Sequence, residues 1–264
     1  MGKHSVLTVA AFAVCLIGAS LGVARADALD DIMQAKTIRV ATDLAIPPSG
    51  MMDANMKPVG SDVETAQKLA KDWGLKLQFV QTTGATRIPN LQTGKADIAI
   101  STLSVTPERA QVIDFSRPYA VLESVIAGPV NVAVKSLDDL KGHTVCVTRG
   151  TTQDFDLTKL SSEKGFQIAR YDDDATDVTA AVSGQCELIA TSQTIVNQIS
   201  QRAPSRPFEK KVTLHLFDLA IGVKKGEPRL LAKINDWIGV NLKNGALNAI
   251  YSKYHHSELP AQMR

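Results

Sequence analysis

Thr106-Pro107-Glu108-Arg109 combines a hydroxyl suited to capping a helix, a proline suited to the first helical position and a guanidinium within the first turn. Free N–H groups and the positive end of the helix dipole already favour an anion there, so a cation at Arg109 works against the helix unless a ligand is its partner. A lone arginine near a helix start is ordinarily a surface charge. Arg87, in Ala85-Thr86-Arg87-Ile88-Pro89, is a second basic candidate, and its bland reading is again a solvated charge. Further along, Arg149-Gly150-Thr151-Thr152 follows a strand pattern and opens a helix, which leaves backbone N–H groups pointing away from the helix end. The same arrangement is also an ordinary strand-to-helix turn.

Other chemistry is sparse. His143, His215, His255 and His256 show no ligand spacing with cysteine or carboxylate, no nucleophile-base constellation is legible and no Gly-rich phosphate loop is seen, so no cofactor or metal is expected. His255-His256 reads as an exposed helix end, and Asp172-Asp173-Asp174 as a solvated turn and N-cap rather than a cation site.

Lys3 and His4 precede an apolar run, Val6 to Val23, that ends in Ala24-Arg25-Ala26, the layout of a secretory signal cleaved after Ala26; Cys15 lies inside that run and goes with it. Cleavage removes Lys3 and Arg25 from 29 basic residues and nothing from 27 acidic ones, so the remainder is formally neutral. Neutrality gives no footprint for nucleic acid or an anionic membrane surface.

The elements that must position these residues alternate between short β-branched runs and helical periodicity, the signature of parallel sheets with crossover helices. Strands are expected at Thr37–Thr42, Leu75–Val80, Ala96–Ile100, Thr144–Thr148, Gln167–Tyr171, Glu187–Ala190 and Ala220–Lys225. Helices are expected from a Ser61/Glu64 capping box to Trp73, over Arg87–Gln92, Leu137–Leu140, Ala175–Val182, Arg229–Leu242 and Leu247–Tyr254.

The runs IPNLQTGKADIAISTLSVTPERAQVIDFSRPYA (88–120), DDLKGHTVCVTRGTTQD (138–154) and FDLAIGVKKGEPRLLAKINDWIGVNLKNGALNAIYSKY (217–254) closely resemble the family-3 extracellular solute-binding proteins, the polar-amino-acid receptors of ABC importers. The resemblance implies an α/β, two-lobed periplasmic binding protein fold of type II, each lobe a mainly parallel sheet flanked by helices. Lobe 1 would comprise residues 27–120 and 219–264 and lobe 2 residues 121–218, with a hinge near Ala120–Ser124 and Leu216–Leu219. It implies a monomeric periplasmic protein that hands a small solute to a membrane permease. In the family the residue matching Arg109 clamps the solute carboxylate through two parallel hydrogen bonds, each worth about 1.5–3 kcal/mol. Ser104 matches the hydroxyl that meets the α-ammonium, Thr102 a backbone carbonyl beside it, and Thr152, preceded by Thr151, the N–H that completes the carboxylate site.

Arg87-Ile88-Pro89 resembles a segment of glutamate/aspartate and general amino-acid receptors; two cations facing one cleft would suit a ligand with two carboxylates. Departures also matter. Ser192 stands where the family usually has an aspartate for the α-ammonium, which makes amine-free ligands realistic. Ile46, Ser49 and Gly84 stand where relatives often place aromatics, which points to a roomier or more polar pocket. Cys146 and Cys186 match a cysteine pair of the general amino-acid receptors, and a disulfide closing that loop would contribute about 4 kcal/mol in the chain-entropy model; two buried thiols are the alternative. A periplasmic enzyme of the cyclohexadienyl dehydratase kind shares this fold and would need a cleft acid, for which Asp43 and Glu187 are the candidates.

Overall fold

The computed structural model describes residues 27–264, so the signal reading for residues 1–26 lies outside the described residues. The chain opens with α1 (Ala28–Ala35), β1 (Thr37–Thr42), the small hairpin β2 (Met51–Met52) and β3 (Pro58–Val59), then α2 (Ser61–Asp72) and β4 (Lys76–Gln81). There follow α3 (Arg87–Gln92), β5 (Ile98–Ala99), the single turn α4 (Pro107–Ala110) and the long strand β6 (Ile113–Pro129). After a 3-10 turn at Asp138–Leu140 come β7 (Thr144–Thr148), α5 (Thr152–Lys164), β8 (Gln167–Tyr171), α6 (Asp174–Ser183), β9 (Leu188–Ser192) and α7 (Gln193–Arg202). The long strand β10 (Phe208–Lys224) leads to α8 (Pro228–Lys243) and α9 (Ala246–His255).

Eight strands form one sheet in the order β4-β1-β5-β10-β6-β9-β7-β8. Its two wings are parallel, β4-β1-β5 and β9-β7-β8, because α2 and α3 in one and α5 and α6 in the other cross back over the sheet. The centre is antiparallel. β6 and β10 pair along their whole length, and each meets one wing by a short contact, Gly222↔Ala99 for β10 and Ser124↔Ser192 for β6.

The hydrophobic side chains divide between two bodies. Ile38, Val40, Leu69, Ile98 and Ile221 pack with Ile234, Trp237 and Ile238 of α8, while Val125, Ala127, Ile189, Ile195 and Ile199 pack in the other. Ile46, from the segment after β1, is the side chain of the N-terminal part that joins the second body. Between the bodies run the facing stretches Ala120↔Leu219, Val121↔Asp218, Leu122↔Phe217, Glu123↔Leu216 and Ser124↔His215, flanked by register shifts at Thr213/His215 and Leu219/Ala220. Such irregularities increase local twist and interrupt the ladder, which suits a ribbon that bends.

Three local readings are corrected. Gly60, at φ 129°, caps α2, while Ser61 lies inside the helix with its Oγ 2.9 Å from His255 Nε2; the Glu64 carboxylate accepts from Lys253 Nζ. His255 is therefore no exposed helix end: it is half-buried, stacks on Tyr251 with ring centroids 4.3 Å apart, and burial pushes its pKa down to about 4. The strand expected at Ala220–Lys225 is the end of a 17-residue strand.

Candidate functional site

A cavity of about 30 Å³ lies between the two bodies, walled by Arg87, Thr102, Ser104 and Arg109 on one side and by Thr152, Asp174 and Ser192 on the other. That volume is on the scale of one or two water molecules, so the two walls stand closed upon one another.

Arg109 is brought there by the turn after β5. Thr106 Oγ1 accepts from Arg109 N at 3.2 Å, which fixes the single turn of α4 and turns the side chain inward. A four-residue helix carries little macrodipole, so any attraction for an anion rests on the guanidinium itself. Only 6% of Arg109 is exposed. Its Nη1 donates to Ser104 O at 3.0 Å and its Nη2 crosses to Gly150 O at 3.2 Å, while Nε has no partner among the described residues. No carboxylate lies within ion-pair distance of it among the described residues. Burial, with the charge of Arg87 adding, pushes its pKa down to about 9. This is a cation taken out of water without an anion, an expensive arrangement unless something else supplies the charge.

Arg87 is similarly buried, with Nη1 donating to Ser101 O at 2.6 Å and Thr102 O at 3.1 Å. Thr102 adopts the left-handed conformation at φ 46°, uncommon for a non-glycine residue, and Asp62 holds it there. Asp62 Oδ2 accepts from both the N–H and the hydroxyl of Thr102, at 2.6 and 2.8 Å, and Oδ1 accepts from the Tyr119 hydroxyl at 2.7 Å. In the sequence Asp62 looks like an ordinary acidic first-turn residue; only packing shows that it sets the cavity wall. Arg87 also has carboxylates for company, since its charge acts on Asp43, Asp62 and Asp174. Two cations on this wall therefore do not call for a ligand with two carboxylates.

On the facing wall Thr151 caps α5, its Oγ1 accepting from Asp154 N at 3.2 Å and donating to Thr148 O at 2.7 Å. Thr152 is the first helical residue, and the N–H groups at the first positions of a helix have no intrahelical acceptor. Ser192 lines the cavity, yet its hydroxyl is used: it caps α7 through Ile195 N at 3.4 Å and contacts Thr194 Oγ1 at 3.0 Å.

The Asp172-Asp173-Asp174 run divides. Asp173 caps α6, accepting from Thr176 N at 2.8 Å, in line with its reading as an N-cap. Asp174 is buried on the cavity wall, which corrects the reading of the whole run as a solvated turn. Behind it Thr148 Oγ1 donates toward both Asp174 Oδ1 at 3.1 Å and Asp177 Oδ2 at 3.3 Å. Burial raises Asp174 to about 7, with Asp43 adding, and raises Asp177 to about 8, with Asp174 adding. Folded-state values above the ordinary carboxylate range mean that the folded protein holds protons the unfolded chain gives up. This contribution to stability is complete below about pH 4 and lost as pH rises through the folded values. Asp177→Asn, which removes the cost of ionisation, is expected to raise the melting temperature of the empty protein by a few degrees near pH 8, with the gain fading toward pH 4. Thermal unfolding at several pH values checks it, and a gain independent of pH would contradict it.

Two glycines let the walls meet. A Cβ at Gly84 would lie 2.7 Å from Arg149 O, and one at Gly150, itself at φ 75°, would lie 2.8 Å from Ala85 Cα. The missing side chain at position 84 therefore gives no roomier pocket, because the backbone of the facing loop occupies the space. Beyond this rim a wider, mainly apolar hollow of about 380 Å³ shares Arg109 and Thr152 and runs past Ile88, Val112, Phe155 and Phe217.

Two expected acids stay off the cavity wall. Asp43 is buried beside it, with Oδ1 accepting from Ala45 N at 2.9 Å and Oδ2 unpartnered among the described residues. Glu187 is exposed, 3.6 Å from His143. Ser49, another of the positions where relatives often place an aromatic, lies in the loop before α2, its carbonyl accepting from Asp62 N. Cys146 of β7 and Cys186, just before β9, are joined as a disulfide, and Asp177 stands against it.

Two α/β bodies joined by a pair of long strands over a charged, closed cavity define the fold of bilobed binding proteins of type II. The chain belongs to the bacterial extracellular solute-binding proteins, family 3, whose model matches residues 38–257. A "Probable histidine-binding protein" of Neisseria gonorrhoeae is 29% identical, over 84% of this chain and 84% of the relative. The solved solute receptor for L-cysteine of Neisseria gonorrhoeae is 32% identical with a TM-score of 0.80, covering 87% of this chain and 93% of that one. An ancestral amino-acid-binding protein, a precursor of cyclohexadienyl dehydratase, is 32% identical with a TM-score of 0.78, covering 86% and 98%. Among the described residues no helix is long and apolar enough to cross a membrane.

Proposed function

We propose that this chain is the solute-capturing component of an ABC importer, exported by a signal spanning residues 1–26, and that its solute is an amino acid rather than a dicarboxylate. The observation that carries the reading is Arg109: a buried guanidinium with no carboxylate partner among the described residues, held on the seam between two bodies and already reaching the far wall at Gly150. A solute carboxylate would supply the missing charge, with the free N–H groups of the α5 start as additional donors. Ser104 and Thr102 flank the place its other end would occupy. Lobe 1 is residues 27–120 with 219–264 and lobe 2 residues 121–218; they part on Ala120–Ser124 and Leu216–Leu219 to admit the solute. Closure is favoured only by contacts that the open form lacks, and the permease reads the closed form.

The names of relatives, histidine- and cysteine-binding among them, support the amino-acid class. We also propose that the chain binds its solute without transforming it, a reading supported by relatives named as binding proteins; the two acids considered for proton transfer, Asp43 and Glu187, do not line the cavity. A thermal-shift screen of the common L-amino acids and of small dicarboxylates tests this. At about a hundred times its dissociation constant the true solute should stabilise the protein by about 2.7 kcal/mol. A shift with dicarboxylates and none with amino acids would sink the amino-acid reading, and turnover of prephenate would replace capture by catalysis.

A further inference from the structure

We propose that Asp174 is the seat of the solute's ammonium group, supplying from the start of α6 the carboxylate that Ser192 does not. The inference rests on the proposed capture of an amino acid and names the residue that would select for its amine. Asp174 shares the cavity wall with Arg109 and is 7% exposed; its Oδ1 is held by the Thr148 hydroxyl, and its Oδ2 has no partner among the described residues. A side chain of the cavity wall that is anchored through one oxygen and has the other buried without a partner keeps an acceptor for a donor that the solute could bring.

Ser192 is poorly placed for that task. Its hydroxyl caps α7, and a neutral oxygen attracts a buried ammonium far less than a carboxylate does. The remaining charges sort themselves around this assignment. Arg87 has Asp43, Asp62 and Asp174 within electrostatic reach and two carbonyls on its Nη1, whereas Arg109 has no carboxylate within ion-pair distance among the described residues. Arg109 and Asp174, both on the cavity wall but not in contact with each other, form a positive and a negative pole matched to a zwitterion. Asp43, buried in the other body and not itself on the cavity wall, is close enough for its charge to oppose ionisation of Asp174. An ammonium against Asp174 would offset that opposition and favour the ionised carboxylate, in addition to making a contact.

The test compares L-arginine, L-glutamine, L-histidine and L-cysteine with the des-amino acids of the same skeletons, by calorimetric titration of the wild type and of Asp174→Asn. The wild type is expected to bind at least one of these amino acids more tightly than its des-amino counterpart. Asp174→Asn should weaken that amino acid by at least about tenfold and change the des-amino acid by no more than about twofold. Asp174→Ser, which also removes the charge, is run beside it so that a folding defect in one variant does not decide the result. Melting of both variants without solute should occur at or above the wild-type temperature, because an ionisable group leaves a buried site. Undiminished amino-acid affinity in either folded variant overturns the ammonium seat and leaves solute capture standing. A wild type with no preference for the amine overturns the seat as well, and a wild type that binds none of these nor any other common L-amino acid sinks the amino-acid reading along with it.

Discussion

Arg109→Ala is expected to lower solute affinity by at least about a hundredfold while leaving the melting temperature of the empty protein unchanged or slightly raised. The first effect follows from losing two charge-assisted hydrogen bonds, each worth about 1.5–3 kcal/mol, to a carboxylate, while Arg87, the other cation on the wall, is engaged with the Ser101 and Thr102 carbonyls. The second follows from the state of the guanidinium in the empty protein. Among the described residues it is buried, destabilised further by Arg87, bonded only to the carbonyls of Ser104 and Gly150, and without a partner at Nε. A residue that is costly in the empty protein and rewarded only in the complex is held for binding. Calorimetric titration and thermal unfolding of the same preparation separate the two terms. Retained affinity would place the anchor elsewhere, and a collapse in the melting temperature would make Arg109 a structural residue.

Replacing both Cys146 and Cys186 with alanine should destabilise the protein by about 4 kcal/mol, from the entropy returned to an unfolded chain that no longer carries a 40-residue loop. For a chain of this length that is a fall of about 10 °C in melting temperature. The bridge ties β7 to the approach of β9, two strands that also pair through Cys146↔Ile189, so a second effect is local. Asp177 packs against it, and Asp177 shares the Thr148 hydroxyl with Asp174. Solute affinity should therefore fall as well, though by less than in Arg109→Ala. Melting curves with and without reductant, beside the double variant, check both effects. Wild-type stability in the reduced protein would show that the cross-link adds nothing.

Much of the fold could be read from the chain because the information is local. Thr37–Thr42, Thr144–Thr148 and Gln167–Tyr171 are strands whose limits follow from β-branched runs between turn residues, and Arg87–Gln92 is a helix over the span expected. Thr106 and Pro107 shape their turn by capping and a fixed φ, interactions complete within four residues. The full length of the two 17-residue strands, of which only the end of β10 is legible, is hidden for an equally physical reason. β10 carries Glu209, Lys210, Lys211, Thr213 and His215 in its first half, mostly exposed to water, and β6 contains Pro118; neither shows a strand's alternation along its length, because both pass from one body to another and change environment midway.

The site divides along the same line. Its types and spacings, an arginine after a Thr-Pro turn and a Gly-Thr-Thr helix start, are written in the sequence, since they depend on neighbours a few residues away. Asp62 under Thr102, Asp174 on the cavity wall and the meeting of Gly84 with Arg149 were decided only by tertiary structure. Whether a charge is solvated or buried, and which charge it faces, depends on segments far apart in the chain, and no local pattern encodes the dielectric in which a carboxylate will finally sit.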